Sequence, residues 1–354
     1  MQYRQLGPTG VFVSQLCLGT MTFGEGSSGP SPMGNLDLKE VKRIVDEAID
    51  GGINFVDTAD VYSSGSSEAL LGEALKDRRN KVVLATKANA RVGAGPNDVG
   101  QSRLHLAQAL DDSLRRLQTG HIDLYQMHNF DRLTPLQETL EALDLAVRHG
   151  KVRYIGCSNF FAWQVVKALA ISERRLLSRF VSVQAYYSVA GRDVEHELVP
   201  AIVDEKLGLL CWSPLAGGLL SGKFDRSGST EADARRAKLE FPPVNRPQVF
   251  DIIDVLKDIA ASRGTSAAQI ALAWLLARPA VTSVIVGVKR SSQLQDNLAA
   301  TRLELTADEI ARLDKVSAVP PSYPGWIQTY RASARFPQGY AFTGPSWGPG
   351  DDPV

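Results

Sequence analysis

Four polar residues of complementary type sit at the ends of three short apolar runs. Asp57 closes residues 54–57 and Tyr62 follows shortly after; Lys87 comes directly after the run 82–86; His128 comes directly after the run 122–127. Together they suit the reduction of a carbonyl, which takes a hydride at carbon and a proton at oxygen. Tyrosine is a weak acid, with a reference pKa of about 10. A neighbouring ammonium favours its ionised form and makes it a better proton donor. In this reading Tyr62 donates the proton, Lys87 supplies the charge and Asp57 holds Lys87 charged and oriented. His128 hydrogen-bonds the substrate oxygen and polarises it. Each residue has an ordinary alternative. An aspartate at a strand end often caps a turn or helix, a lysine there is usually solvated, and a histidine more often packs than reacts. Four such types at neighbouring positions outweigh any one of them.

For these side chains to meet, the chain must bring separate strand ends together. Strand-like runs at residues 16–19, 54–57, 82–86, 122–127, 152–156, 181–184, 208–212 and 283–286 alternate with helix-like stretches. Those stretches, at 38–50, 67–76, 102–117, 135–148, 160–169, 194–205, 265–277 and 292–299, carry apolar residues at three- and four-residue spacing. Residues 250–262 and 307–316 read as extra helices, and 3–6 with 12–13 as a hairpin turned by Gly7, Pro8 and Gly10. Alternating strands and helices imply a parallel sheet. Eight such units predict an α/β fold closed into a (β/α)8 barrel, whose active site lies at the carboxyl ends of the strands. A doubly wound open sheet is the alternative, but Gly93, Gly95 and Gly100 lack the G-x-G-x-x-G spacing. Residues 1–318 are expected to form one domain, with a long insertion at 225–245. The stretch 319–354, which carries Pro320, Trp326, Tyr330, Phe336, Tyr340, Phe342 and Trp347, is expected to fold over the barrel mouth.

The 354 residues hold 39 Lys plus Arg against 39 Asp plus Glu, so no global field draws the protein to nucleic acid or to an anionic membrane. At 44% hydrophobic, the chain has the composition to bury a large core. Cys17, Cys157 and Cys211 lie in or beside apolar runs and read as reduced, buried thiols. The opening residues lack the apolar run of a signal peptide, and no stretch approaches the ~20 residues of a membrane span. A cytoplasmic location is the expectation. His196-Glu197 lacks the second histidine of H-E-x-x-H, and no G-x-S-x-G elbow occurs, so neither metal nor ester-hydrolase chemistry is expected. Residues 217–223 read G-x-x-x-x-G-K, but Phe224 stands where a P-loop needs Ser or Thr. The glycines there would still let backbone N–H groups approach a phosphate, with Lys223 adding charge.

With these pieces in order, the chain resembles an aldo-keto reductase. The resemblance rests on Leu18-Gly19-Thr20-Met21-Thr22-Phe23-Gly24, Asn54-Phe55-Val56-Asp57-Thr58-Ala59 with Tyr62, Thr86-Lys87, and Tyr125-Gln126-Met127-His128. It continues through Ile155-Gly156-Cys157-Ser158-Asn159-Phe160 and the stretch from Trp212 to Lys223, and covers the chain from near residue 4 to about residue 318. It implies NADPH/NADP+ as cofactor and a catalytic tetrad of Asp57, Tyr62, Lys87 and His128. It also implies cofactor contacts from Gly19, Thr20, Met21 and Asp57, with Ser158, Asn159 and Gln184 on the nicotinamide carboxamide. Trp212, where many members have Tyr, would stack on the nicotinamide. Ser213, Pro214, Leu215, Gly217, Leu219, Gly222 and Lys223 would follow the pyrophosphate. Gly287, Lys289, Gln293, Asp296 and Asn297 would surround the adenosine, with Lys289 and Arg290 facing the 2′-phosphate.

The activity implied is reversible, NADPH-dependent reduction of an aldehyde or ketone to the alcohol. Its partner is a small carbonyl or alcohol substrate, bound by Tyr62 and His128 and lined by Met21, Phe23, Asn129, Phe130 and Trp326. Some barrels of this kind resemble channel accessory subunits, whose bound cofactor serves sensing with little turnover. Those commonly carry Asn at the position of His128, and His128 therefore favours the enzyme. Both monomers and larger assemblies occur among such barrels.

Overall fold

The computed structural model describes residues 1–24, 36–226, 228–229, 236, 239–328 and 330. An antiparallel hairpin, Tyr3–Gln5 (β1) and Phe12–Ser14 (β2), opens the chain as the turn residues predict. Seven parallel strands follow: Leu16–Gly19 (β3), Phe55–Asp57 (β4), Val83–Ala88 (β5), Ile122–Met127 (β6), Val152–Ser158 (β7), Phe180–Tyr186 (β8) and Gly208–Trp212 (β9). After a short antiparallel pair, Phe224–Asp225 (β10) and Gly228–Ser229 (β11), the strand Val281–Gly287 (β12) pairs with both β9 and β3 and closes an eight-stranded barrel. The closure runs from Val284 opposite Leu16 to Gly287 opposite Gly19.

Helices cover the outside, and several combine an apolar stripe with a side-chain cap at the start. Leu38–Asp50 is capped by Asp37 in a reciprocal box with Glu40, and buries Val41, Ile44, Val45 and Ala48 along one face. The helix predicted over 194–205 is shorter than expected. It is a 3-10 turn at Asp193–Glu195 followed by a helix at Leu198–Asp204. Pro200 has no N–H to give to a helix interior and is tolerated only in a first turn, which puts the start at Leu198.

Strand alternation divides the core in two. Cys17, Phe55, Ala85, Leu124, Leu210 and Ile285 pack together as an apolar layer within the barrel, and Leu6 and Val13 of the hairpin close it from below. Residues of the opposite parity, such as Leu16, Leu18, Val56, Leu84 and Tyr125, pack outward against the helices. Two residues further along the lumen-facing parity, β4 reaches Asp57, β5 reaches Lys87 and β6 reaches Gln126. The barrel thus turns from apolar to polar towards the carboxyl ends of its strands. All three cysteines are buried free thiols, and burial pushes each well above its ordinary range. Among the described residues, no helix is long and apolar enough to cross a membrane. Residues 227, 230–235, 237 and 238 of the 225–245 insertion, and the part of the stretch expected to cover the mouth that lies beyond residue 330, lie outside the described residues.

Candidate active site

Lys87 is fully buried at the end of β5, and Asp57 at the end of β4 is 2% exposed. The ammonium donates to Asp57 Oδ1, to the Thr58 carbonyl at 2.8 Å and to the Tyr62 hydroxyl at 3.3 Å. Its Nζ also lies 4.9 Å from the centre of the Tyr62 ring. Burial alone would lower the Lys87 pKa, but the charge of Asp57 and the Tyr62 oxygen outweigh it and raise it above the ordinary lysine value. A permanent cation is therefore fixed against the Tyr62 hydroxyl.

Tyr62 is delivered by a strained turn. The segment Tyr62–Gly65 is a 3-10 turn in which Ser63 and Ser64 adopt φ of 48° and 53°. Two non-glycine residues in the left-handed region cost about 1 kcal/mol or more each. The Ser63 hydroxyl holds the turn by donating to the Phe23 carbonyl at 2.7 Å. The His128 ring meets the Tyr62 ring edge to face, 5.8 Å between centres. Burial, and then the Lys87 charge, push His128 down to about 3, so the ring is neutral near pH 7. Its Nδ1 is buried with no hydrogen-bond partner among the described residues. The four side chains read as a tetrad from the sequence are brought together.

Asn159 ties the neighbouring strand ends to this group. It sits at φ 59°, and its backbone N–H donates to the Gln184 carbonyl at 3.1 Å. Its side-chain amide donates to the His128 carbonyl at 2.9 Å and to Asn129 Oδ1 at 3.2 Å, and its Oδ1 accepts from Trp212 Nε1 at 3.0 Å. One residue at the end of β7 thus fixes the exits of β6 and β9. Trp212 also packs against Tyr186, 5.1 Å between ring centres, and Phe241 stacks on it.

Beyond the tetrad, the exits of β9 and β12 run into turns. Ser213 at φ 52° starts a turn through Ala216–Ser221, and Gly217, Gly218 and Gly222 take φ of 70°, 95° and 85°. The Ser213 hydroxyl accepts the Gly217 N–H at 3.0 Å. Pro214 and Leu219 are buried beneath the turn, while Leu215 and Lys223 are half-buried. At the end of β12, Gly287 is exposed with nothing within 4 Å of a Cβ built there. The helix Ser291–Ala299 begins after it without a side-chain cap. Thr22 draws the β3 exit towards this end by donating to the Val288 carbonyl at 2.7 Å.

The fit of these turns to a dinucleotide rests on groups of this chain. The Ser158 hydroxyl is buried without a hydrogen-bond partner among the described residues, and uncapped N–H groups and open glycines stand at the far end. Other candidates are placed differently. Asp296 has both oxygens engaged, by Ser266 at 2.8 Å and Gln269 Nε2 at 2.6 Å, which makes it a clasp between helices. Gln293 Oε1 accepts the Lys289 N–H at 2.8 Å, and Asn297 is buried. Phe23 is fully buried, its side chain part of the apolar cluster that also holds Leu36, Val41 and Leu71, and so it does not line the mouth. Thr20 is buried too, its hydroxyl 2.9 Å from that of Ser67. Met21 is half-exposed and Asn129 exposed at the rim. Gln184 points its amide at Asp57 Oδ2, at 2.9 Å, alongside Gln126. The roles of Gln126, Tyr186 and Phe241 were not assigned from sequence. Strand parity alone marks Gln126, two residues after the lumen residue Leu124.

Residues 15–318 match the model of the aldo/keto reductase family. An uncharacterized oxidoreductase of Bacillus subtilis is 42% identical over 90% of this chain and 97% of its own length. A protein of Oryza sativa named probable voltage-gated potassium channel subunit beta is 38% identical over 94% of this chain and its own full length, 100%. The versiconal hemiacetal acetate reductase of Aspergillus parasiticus is 34% identical, covering 92% of this chain and 99% of its own.

Proposed function

The chain belongs to the aldo/keto reductase family, and from that premise we propose that it reduces an aldehyde or ketone to the alcohol, with NADPH as the reductant and Tyr62 as the proton donor. When bound, NADPH supplies the hydride that goes to the carbonyl carbon. Tyr62 Oη gives its proton to the carbonyl oxygen as negative charge develops there. Lys87 stabilises the tyrosinate left behind, and Asp57 keeps Lys87 in place. His128 stays neutral and offers a ring N–H to the same oxygen. The observation that carries the reading is the fully buried Lys87 ammonium, held by Asp57 and bonded to the Tyr62 hydroxyl at 3.3 Å.

The cofactor would lie in a groove between the β9 and β12 exits, with its nicotinamide near Trp212, Ser158, Asn159 and Gln184. Its phosphates would follow Ser213 to Lys223 and the uncapped helix start after Lys289 and Arg290. Two cations beside that helix start favour NADPH over NADH. A neutral overall charge, with no cluster of metal-ligating side chains among the described residues, fits a small-molecule carbonyl substrate.

The test is the loss of NADPH absorbance with a panel of aldehydes, ketones and keto-sugars, run beside Tyr62→Phe. The variant is expected to lose about 10²–10⁴-fold in kcat while still binding NADPH. Near-normal turnover in the variant would refute the assignment. The relatives named as channel beta subunits favour a second reading, a cofactor-sensing barrel with little turnover. Tight NADPH binding without turnover on any carbonyl would support it.

A further inference from the structure

Asp57 spends its two oxygens differently. Oδ1 takes the Lys87 ammonium, while Oδ2 accepts 2.9 Å bonds from the side-chain amides of Gln126 and Gln184. Gln184 Nε2 is shared, since it also reaches Gln126 Oε1 at 3.3 Å. Gln126 Nε2 has Asp57 as its acceptor, and the residue is fully buried on the lumen-facing parity of β6. A buried amide costs free energy unless it is bonded, and a leucine or methionine would fill the same volume without that cost. The amide is explained by its acceptor. Hydrogen bonds to a carboxylate in dry surroundings are about twice as strong as neutral ones. Donors from three different strands leave the Asp57 carboxylate no freedom to rotate.

Building on the carbonyl-reductase reading above, we propose that Gln126 is a positioning residue for proton transfer, which locks Asp57 so that Lys87 stays in contact with the Tyr62 hydroxyl. Gln184 is drawn towards the cofactor in that reading, which leaves Gln126 as the donor dedicated to Oδ2. The ionisable groups around the pair are Lys87, Tyr62, His128 and the Cys17 thiol. None of them can replace the amide on Oδ2 without bringing a charge or a proton of its own.

The experiment compares Gln126→Met and Gln126→Leu with the parent in the full chain. Methionine keeps the volume and removes the donor. The expected result is a fall in kcat of about 10–100-fold, with the NADPH Kd within about twofold of the parent. The primary isotope effect on kcat with 4-deuterated NADPH rises, because the chemical step slows. Crystal structures of the parent and Gln126→Met show the Asp57 carboxylate turned and the Lys87–Tyr62 contact opened beyond hydrogen-bond distance. A kcat within about twofold of the parent in Gln126→Met, while Tyr62→Phe collapses, overturns the proposal and leaves the reductase reading standing. Normal turnover in Tyr62→Phe instead overturns the reductase reading. The crystallographic comparison needs no turnover, and an unmoved Asp57, Lys87 and Tyr62 in Gln126→Met refutes the positioning role by itself.

Discussion

Phe241 lies flat on Trp212, with 5.7 Å between ring centres and 9° between planes. The same segment crosses the start of the glycine-rich turn Ala216–Ser221, where a Cβ built on Gly217 would come 2.5 Å from the Phe241 carbonyl oxygen. Arg236 holds this crossing by donating to the Ala216 carbonyl at 3.0 Å and the Pro242 carbonyl at 2.7 Å. A cofactor seated against Trp212 therefore enters beneath or beside Phe241. Phe241→Ala is expected to raise both association and dissociation rates of NADPH by about 3–10-fold, followed by stopped-flow Trp fluorescence. Unchanged rates would show that the crossing does not gate the groove.

Gly217 carries its own prediction. At φ 70° with a carbonyl in the space of its missing side chain, it has both a steric and a conformational reason to be glycine. Gly217→Ala is expected to cost about 1–3 kcal/mol of stability and to weaken NADPH binding by displacing the turn. Denaturant titration with and without NADPH separates the two effects. A variant as stable as the parent would contradict the crowding seen here.

The buried Lys87–Asp57 pair separates activity from stability. Removing one partner strands a charge in a dry site, which typically costs about 3–5 kcal/mol. Lys87→Met is therefore expected to be both inactive and strongly destabilised. The double variant Asp57→Leu with Lys87→Met should be equally inactive yet regain much of the lost stability, since no unpaired charge remains. Chemical denaturation of the parent, Lys87→Met, Asp57→Leu and the double variant checks this. Additive losses in the double variant would mean that the pair is not coupled.

Much of this site is legible in the chain because strand ends announce it. Asp57, Lys87 and His128 each follow an apolar run, and a closed barrel brings all such ends to one rim. The target of a side chain across the barrel is harder to read. Gln126 stands in a run as a polar interruption, and nothing local says that it reaches Asp57 two strands away. Phe241 comes from an insertion whose path no periodicity predicts, so its stacking on Trp212 is invisible in the sequence. Asp296 shows the opposite failure. Its place on a helix beside the expected adenosine region invited a binding role, but the cap residue Ser266 and Gln269 of the preceding helix occupy its oxygens. The helix over 194–205 is shorter than its apolar spacing because Pro200 has no N–H to bond back to residue 196, so the helix begins only at Leu198.

Asp60 gives the protein a distinctive pH dependence. The residue lies between Asp57 and Tyr62, is 2% exposed, and burial together with the neighbouring Glu68 raises it to about 7. Arg116 and Lys87 oppose the shift without cancelling it. A carboxyl raised in the folded state contributes its stability fully below the unfolded pKa and loses it as pH rises through the folded one. The window is therefore from about 4 to about 7. His128 works in the opposite sense. Its lowered pKa, about 3, gives stability present above the unfolded value of about 6.5 and lost as pH falls towards 3. Asp60→Asn should flatten the decline between about pH 4 and 7, and above about pH 8 should be more stable than the parent by up to ~4 kcal/mol. Urea unfolding at both ends of that range measures it. An identical pH slope in the variant would mean that Asp60 is ionised throughout.

Cofactor choice should rest on the turn after β12. Lys289 and Arg290 precede the helix Ser291–Ala299, whose start has no side-chain cap, so backbone donors and two cations stand together there. A 2′-phosphate is the group of NADPH that NADH lacks, and a charge-assisted contact to it is worth about 1.5–3 kcal/mol. Lys289→Ala is therefore expected to raise the NADPH Kd by about 10–100-fold and to change the NADH Kd by less than about twofold. The NADPH effect should shrink as salt rises, because the contact is exposed enough to be screened. Isothermal titration of both cofactors at low and high salt reads this directly. If both cofactors weaken equally, Lys289 acts on the fold of the turn, and the preference for NADPH has to come from elsewhere in the groove.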